Sequence, residues 1–465
     1  MTRPSLTQPS LAFSWARIVR LGLVQTALGA VVVLMTSTLN RVMVVELALP
    51  AIVPGGLVAL HYATQVLRPR WGYGSDVGGR RTPWIVGGMA ALCLGGFGAA
   101  AATALAAHHV AAGLALAVLS FLLVGMGAGA AGTSLLVLLA TGVEAGRRGA
   151  AATIVWVMMI AGFAVTAPLA GHFLDPFSGA RLVAVSGTVS LIAFAVAGLA
   201  VTGIEPRRPP VGAARPVEKP PFRKVLAQVL AEPAARRFTL FIFASMLAYS
   251  AQELILEPYA GLVFAMTPGA TTKLAGLQHG GVLAGMLVVA GITVFIGGPV
   301  LGSLKLWTAI GCALSAAALA AIAVGGPIGP DFPLRAAVAG LGFGNGVYAV
   351  AAIGSMMALA GRGGEAERGT RMGVWGAAQG VAFGAGGFLG TLAVDLARLV
   401  ASEPVTAYAA VFAAESVLFL VALLIGLSVE HATVGRRKNP RKNPLSGNPL
   451  AETASFQLSP GFDAR

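Results

Sequence analysis

Long apolar segments recur along the whole chain and constrain its fold more than any other feature. A helix needs about 20 apolar residues to cross the hydrocarbon core of a bilayer. Only 11% of the 465 residues are charged, against about 25% in a soluble domain. The sequence therefore predicts an all-α polytopic membrane protein with twelve transmembrane helices, at 21–40, 48–67, 84–106, 111–140, 152–173, 183–203, 238–264, 276–297, 304–325, 336–360, 372–396 and 406–429.

The basic residues predict the orientation of these helices. The net charge of +14 comes from loops and tails, as membrane topology requires, so nucleic-acid binding is not expected. Alternate loops and both tails hold all but five of the 32 lysines and arginines, the exceptions being Arg41, Arg181, Lys273, Arg335 and Arg398. This bias predicts that both termini are cytoplasmic. The N-terminus carries no small-residue cleavage site after a short apolar core, so no removable signal peptide is expected.

A Pro-rich, basic segment divides the apolar segments into two sets of six. The predicted organisation is a cytoplasmic tail, a six-helix half, a cytoplasmic linker, a second six-helix half and a disordered basic tail, over 1–20, 21–203, 204–237, 238–429 and 430–465. Two six-helix halves joined in this way resemble the plan of the major facilitator superfamily.

The loop after the second segment has the pattern G-x-x-S-D-x-x-G-R-R, which resembles the signature of that superfamily. The matching positions are Gly72, Asp76, Gly79, Arg80 and Arg81. Gly74 and Val77 depart from the usual pattern. The resemblance implies a conformational latch between the halves, with Asp76 near Arg371 at the start of the eleventh helix. The alternative is a basic turn that only sets topology.

Two narrower motifs resemble the PucC/LhaA family. One surrounds the loop, with His61-Tyr62 and Arg68-Pro69-Arg70 before it and Thr82-Pro83-Trp84 after it; the other is the run QELILEPYAG at 252–261. The resemblance implies an assembly factor for bacterial light-harvesting antenna complexes, in the inner photosynthetic membrane. Its implied partners are bacteriochlorophyll, as a possible cofactor, and the antenna polypeptides. The oligomeric state is left open.

His61 and Gln65 are candidates for a pigment site. His61 lies seven residues before Arg68, roughly 10 Å inside the predicted membrane boundary. A neutral imidazole there could ligate the magnesium of a bacteriochlorophyll, and Gln65 lies one turn away on the same face. Packing against a neighbouring helix and proton coupling are the alternatives. His172 and His279 are weaker candidates because both are predicted near outer helix ends.

Glu253 and Glu257 are candidate intramembrane carboxylates because their spacing places them on one helix face. Glu257 is expected near the outer boundary, where full burial is not required and the helix can break at Pro258. The pair could take protons, bind a cation or pair with Lys273 or Arg41. Glu415 in the last segment is a third, less informative candidate.

A final group of polar residues lies among the glycines of the tenth and eleventh segments. Asn345, Tyr348 and Gln379 could supply the polar contacts of a groove for a macrocycle or a partner helix. The chain shows no phosphate loop, catalytic triad or cluster of metal ligands, so an enzyme is not expected. The alternative function is a proton-coupled secondary transporter of a small solute.

Overall fold

The computed structural model describes residues 13–67, 80–144, 147–205, 231–296, 298–360 and 365–437, and within this part every regular element is helical. We number the principal helices in chain order: α1 Trp15–Val33, α2 Ile52–Ala63, α3 Thr82–Ala106, α4 Val110–Gly142, α5 Arg148–Leu174, α6 Gly179–Val201, α7 Pro233–Phe264, α8 Pro268–Gly291, α9 Leu304–Ile328, α10 Leu334–Ala360, α11 Glu365–Val400 and α12 Pro404–Arg437.

Eleven helices among the described residues are long and apolar enough to cross a membrane. The remaining predicted segment, 48–67, is represented by the shorter helix α2, which one 3₁₀ turn extends over Thr64–Leu67. The predicted all-α polytopic fold is therefore confirmed.

Local capping explains where several helices begin. The hydroxyl of Ser14 accepts a hydrogen bond from the backbone N–H of Arg17 at the start of α1. Ser178 caps α6, and Thr267 caps α8 ahead of a proline at the first turn. A hydroxyl at this position satisfies one of the N–H groups that a helix start leaves unpaired.

The first span is longer than predicted because its helix does not end at residue 40. Two π-helical stretches, Leu34–Leu39 and Val42–Glu46, carry it to residue 46. Arg41, predicted in an outer loop, lies inside this span and is buried. The eighth helix was predicted from residue 276, but it begins at Pro268 because Thr271 and Thr272 pack inside the protein.

The buried apolar residues form two main cores. One is built from residues 13–204 together with Leu254, and the other lies entirely within residues 238–419. The two halves pack closely at two glycines. A Cβ at Gly55 of α2 would overlap Thr391 of α11, and one at Gly276 of α8 would overlap Pro168 of α5. The exact bounds of the tails and of the linker remain predictions, because 206–230 and 438–465 lie outside the described residues.

Candidate functional site

Aromatic side chains from both halves meet where α2, α7 and α11 come together. The ring centroid of Phe383 in α11 lies 5.7 Å from that of Tyr62 in α2. It also lies 5.7 Å from the ring centroid of Tyr249 in α7. All three side chains are half-buried. We call Tyr62, Tyr249 and Phe383 the aromatic patch; it offers flat apolar faces contributed by both halves.

An acidic and an imidazole side chain lie beside this patch. Glu253 follows Tyr249 by one turn of α7, and its carboxylate is 3.8 Å from Nε2 of His279 in α8. Nδ1 of His279 is 2.9 Å from the carbonyl of Ala275. Because a carbonyl can only accept, Nδ1 carries the proton and Nε2 is the nitrogen that faces Glu253. The ring of Phe163 packs edge-on against His279 at 4.8 Å.

His279 was predicted near a water-exposed helix end, and this is wrong. Helix α8 starts earlier than predicted, so His279 lies well inside it and is 2% exposed. His172, by contrast, is in the last turn of α5 and is exposed, as predicted.

Glu257 lies one turn beyond Glu253 on α7, and the structure buries it, although its expected place near the outer boundary did not require this. It is 2% exposed, and neither carboxylate oxygen takes a hydrogen bond from the described residues. Ser37, Thr271 and Arg41 are its polar neighbours. Lys273 is exposed and is not among them. The site thus holds a fully enclosed carboxylate beside two hydroxyls and the Arg41 charge.

The polar run at the end of the first span is a part of the site that sequence reasoning missed. Arg41 forms an ion pair with Glu46 and donates to the carbonyl of Met266, 2.7 Å away in the second half. The hydroxyls of Thr38 and Thr272 are 3.0 Å apart. The signal was present in the sequence as five polar residues in six, Thr36 to Arg41, inside an apolar segment. π-Helical turns of this kind recur at functional sites.

His61 and Gln65 lie where α2 packs on α4. Gln65 donates from Nε2 to the carbonyl of Gly125, 3.4 Å away. A Cβ at Gly125 would overlap the hydroxyl of Thr64, so the two helices are in direct contact here. His61 is 4% exposed, and its ring packs edge-on against Tyr62 at 4.8 Å. The structure therefore sets His61 directly behind the aromatic patch.

The three predicted groove residues divide between two places. Tyr348 and Gln379 come together on Met246, whose sulfur is 3.2 Å from the Tyr348 hydroxyl and 3.8 Å from the Gln379 amide nitrogen. Asn345 does not contact Met246; it faces α9, where its Oδ1 accepts a hydrogen bond from the Ser315 hydroxyl at 2.8 Å. The three residues therefore do not line one surface.

Part of the predicted latch can be described. Gly72, Asp76, Gly79 and the side chain of Arg371 lie outside the described residues, so the contact between halves remains a prediction. Arg80 and Arg81 are described. The carboxylate of Glu205, just after α6, accepts from the backbone N–H groups of Arg81 and Thr82 at 2.9 Å and 2.6 Å. The Thr82 hydroxyl donates to it as well. The loop is thereby fastened to the end of the sixth helix.

These contacts decide the charge of Glu205. Partial burial alone would raise the pKa of this carboxyl. The hydrogen bonds from Thr82 and from the backbone of Arg81 and Thr82, with the nearby Arg81 charge, outweigh burial and lower the pKa below its usual range.

Two aspartates join the halves at the opposite end of the helices, and neither was singled out from the sequence. Asp395 near the end of α11 accepts from the backbone N–H groups of Ala51 and Ile52, at 3.1 Å and 2.7 Å, where α2 begins. Asp175 at the end of α5 accepts from Thr267 and from the N–H of Gly269, at 3.0 Å and 3.2 Å, where α8 begins. We call this end of the molecule the Asp end.

The fold defines the class of protein. A solved structure of a proton-dependent oligopeptide transporter superposes with a TM-score of 0.66 over 91% of this chain and 99% of its own, at 15% identity. The nucleoside transporter NupG gives a TM-score of 0.64 over 89% of this chain and 99% of its own, at 14% identity. The chain is a multi-span membrane protein with the fold of major facilitator superfamily transporters.

Sequence comparison then gives the family. Residues 38–434 match the family described as "PUCC protein", and the chain belongs to that family. It is 53% identical over 421 residues to the bacteriochlorophyll synthase 44.5 kDa chain of Rhodobacter capsulatus, covering 90% of this chain and 96% of that protein. It is 29% identical to Protein PucC of Cereibacter sphaeroides, covering 90% and 94%. The resemblance predicted from the two motifs is confirmed.

Proposed function

We propose that this protein assists assembly of light-harvesting antenna complexes by holding bacteriochlorophyll or an antenna helix between its two halves. The observation that carries the proposal is the aromatic patch of Tyr62, Tyr249 and Phe383 with the Glu253–His279 pair beside it. Family membership and the names of the relatives support it.

The chemistry of this surface suits a flat macrocycle. Aromatic faces stack on a planar π-system, and sites for such ligands combine apolar walls with a few placed polar groups. Here the polar groups are the Glu253 carboxylate, the Tyr249 hydroxyl and Gln379. An apolar antenna helix could use the same walls, since it needs shape and few polar contacts.

His61 is the candidate magnesium ligand, and its position sets a condition on that role. Its ring lies behind Tyr62 and is 4% exposed. Ligation therefore requires the Tyr62 side chain to swing away from the imidazole. His61 as a packing residue requires no such motion, so the two roles make different predictions for a His61→Ala variant.

Absorption spectra of the purified protein test the proposal. The protein is expressed in a pigment-producing host, and pigment and antenna polypeptides are quantified per mole of protein. Wild type is expected to retain one or both, and the double variant Tyr249→Ala/Phe383→Ala to lose most of what is retained. Phe173→Ala is the matched control, because Phe173 is 62% exposed on the outer surface of α5. His61→Ala is measured beside them.

Each outcome bears on a separate part of the proposal. Absence of both pigment and antenna polypeptides from the wild-type protein contradicts the assembly function. Equal retention in the double variant and the control contradicts the aromatic patch as the site. Retention of pigment in His61→Ala contradicts only ligation by His61.

A second function, proton-coupled transport, is favoured by one observation. Glu253 and His279 form a facing pair of ionisable groups at the interface between the halves, as in a proton relay. Solute uptake with proton movement in vesicles, abolished by Glu253→Gln, would support it. Proteoliposomes in which Glu253→Gln changes no proton flux would oppose it.

We further propose that the chain is not itself an enzyme and that it lies in the bacterial inner membrane with both termini cytoplasmic. Membership of the PUCC family supports the first part of this proposal. The positive-inside bias of the loops supports the orientation. Purified protein that condensed pigment precursors unaided would contradict the first proposal.

A further inference from the structure

Four polar side chains from four helices lie at one level inside the second half. They are Gln252 of α7, Ser315 of α9, Asn345 of α10 and Glu415 of α12. Each is buried, with exposures of 0%, 0%, 0% and 5%. We call them the buried polar cluster.

Contacts between α7 and α12 fix the relative heights of Gln252 and Glu415. The ring of Tyr259 lies 5.0 Å from that of Phe412. The ring of Phe241 packs against Gly426, where a Cβ would lie 3.1 Å from it. Interpolation between these two contacts, at 1.5 Å per residue, places Gln252 within about 4 Å of Glu415 along the axis of the bundle. Gln252 is two turns from Tyr259 on one face, and Glu415 is one turn from Phe412, so both point into the shared interface.

Contacts with α9 and α10 bring the other two residues to the same level. Ser416 donates to the carbonyl of Ala316 at 2.8 Å, which aligns Glu415 with Ser315. Ser315 in turn donates to Asn345 at 2.8 Å. The rings of Tyr348 and Phe419 are 6.0 Å apart, one turn from Asn345 and Glu415 respectively. The four residues therefore occupy one layer of the bundle.

Most polar atoms in this layer are not bonded to protein. Both oxygens of Glu415, both amide atoms of Gln252 and the amide nitrogen of Asn345 have no hydrogen-bond partner among the described residues. A buried polar atom left in this state costs about 1–3 kcal/mol, and more when it is charged. Three of the five are acceptor oxygens, two of them on one buried carboxylate, and a bound cation would satisfy these.

A group that binds in this layer must carry positive charge. The lysines and arginines of these four helices all lie near helix ends: Arg236, Arg237, Lys305, Arg335, Arg436 and Arg437. None is on the turns that carry the cluster. Buried carboxylates are normally paired with a cation or coordinate a metal. One carboxylate supplies one negative charge, and Gln252, Asn345 and Ser315 supply further oxygens, which hard cations prefer as ligands.

We propose that the buried polar cluster binds one monovalent cation of the sodium class, coordinated by Glu415 and by the side-chain oxygens of Gln252, Asn345 and Ser315. The site lies within one half, so the cation stabilises the α7–α9–α10–α12 bundle itself. The proposal does not depend on what the aromatic patch binds.

Binding of radioactive sodium to the detergent-purified full-length protein tests the site, with thermal unfolding in NaCl against choline chloride at equal ionic strength. We expect saturable binding of about one sodium per protein and a higher midpoint in NaCl. Glu415→Gln keeps the shape but removes the charge, and is expected to lose both effects. Asn345→Ala is expected to weaken binding at least tenfold. Glu403→Gln is the control, because Glu403 is exposed just before the same helix.

The outcomes separate clearly. Loss of binding in Glu415→Gln but not in Glu403→Gln supports the site. Sodium binding that survives in Glu415→Gln overturns it. Failure of wild type to bind sodium also overturns it, since Glu415 is then neutralised by a proton. Should Glu415→Gln fail to fold, the wild-type binding and the Asn345→Ala affinity decide.

Discussion

At the scale of single residues, Asn40 explains why Pro258 does not break α7. A proline lacks the N–H that would bond the carbonyl four residues earlier, which here belongs to Leu254. Asn40 of the first span donates to that carbonyl at 2.6 Å. The sequence allowed a break at Pro258, but α7 continues to Phe264. The donor belongs to the other half of the molecule, so the sequence around Pro258 does not reveal it.

Replacing Asn40 is therefore expected to destabilise the protein. Asn40→Ala leaves the Leu254 carbonyl buried and unpaired, at a cost of about 1–3 kcal/mol. The change is measured as a lower thermal unfolding midpoint of the purified protein. Thr188→Ala is the control, because its exposed hydroxyl bonds only within its own helix. Equal midpoints for the two variants would contradict the assignment.

A second prediction at the scale of residues concerns how the stability contributed by Glu205 depends on pH. Its pKa is lowered in the folded protein, so its ionised form stabilises the fold above the ordinary glutamate range. That contribution is lost as the pH falls through the lowered pKa. Glu205→Gln should be less stable than wild type at neutral pH, by about 1 kcal/mol after solvent screening, and the difference should vanish in acid.

Thermal midpoints between neutral and strongly acidic pH measure this difference. Glu144→Gln, at an exposed position near the end of α4, is the control and should follow wild type throughout. A Glu205→Gln midpoint that stays below wild type by the same amount at every pH would rule out the charged hydrogen bonds.

The candidate site was predictable in its chemistry and not in its geometry. Glu253 and Glu257 stood out as carboxylates in an apolar segment, and the structure sets them on one helix as expected. Their partners come from distant parts of the chain: His279 from α8 and the polar run from the first span. Periodicity within one helix says which residues share a face, but not which helix that face meets.

At the scale of elements, the two aspartates of the Asp end are related by position. Asp175 ends α5 and caps α8, whereas Asp395 near the end of α11 caps α2. Fifth and eleventh helices correspond between the halves, as do second and eighth. A carboxylate at a helix N-terminus is favourable because the free N–H groups carry partial positive charge. The halves are thus joined at the Asp end by a matched pair of caps.

Removing both caps is expected to loosen the Asp end. Each cap contributes about 0.5–2 kcal/mol, so Asp175→Ala/Asp395→Ala should raise thiol labelling of a buried Thr38→Cys probe about tenfold. Asp331→Ala, at an exposed acidic position, is the control. Labelling that is unchanged in the double variant would show that the caps do not hold this end closed.

The ends of helices were predicted best where charged or polar turns flank them, and worst where polar residues lie inside a helix. Helices α3 to α6 match within a few residues, because basic or polar turns flank them. The start of α8 was missed because Thr271, Thr272 and Lys273 read as a loop. Only Lys273 is exposed; the two threonines bond back to the Pro268 carbonyl and remain inside the bundle.

At the scale of the whole molecule, two main cores and the contacts between paired helices give a two-half architecture. The predicted fold and family are confirmed by the structural and sequence comparisons. The latch at Asp76 and the orientation of the termini remain predictions. The twelve predicted spans would set both termini on one side of the membrane, opposite to the Asp end.

Reporter fusions test that orientation. A phosphatase that is active only outside the cytoplasm should be inactive when fused after residue 437 and active when fused in the loop between α5 and α6. The positive-inside bias predicts this pattern. The reverse pattern would place the basic loops outside and contradict the assigned topology.

The most direct test of the central claim is the membrane absorption spectrum of a deletion strain, with antenna transcripts measured in the same cells. An assembly factor predicts loss of one antenna absorption band while the genes of that antenna are still transcribed, restored by wild type and not by Tyr249→Ala/Phe383→Ala. Normal antenna bands in the deletion strain, or bands lost together with their transcripts, would contradict the account.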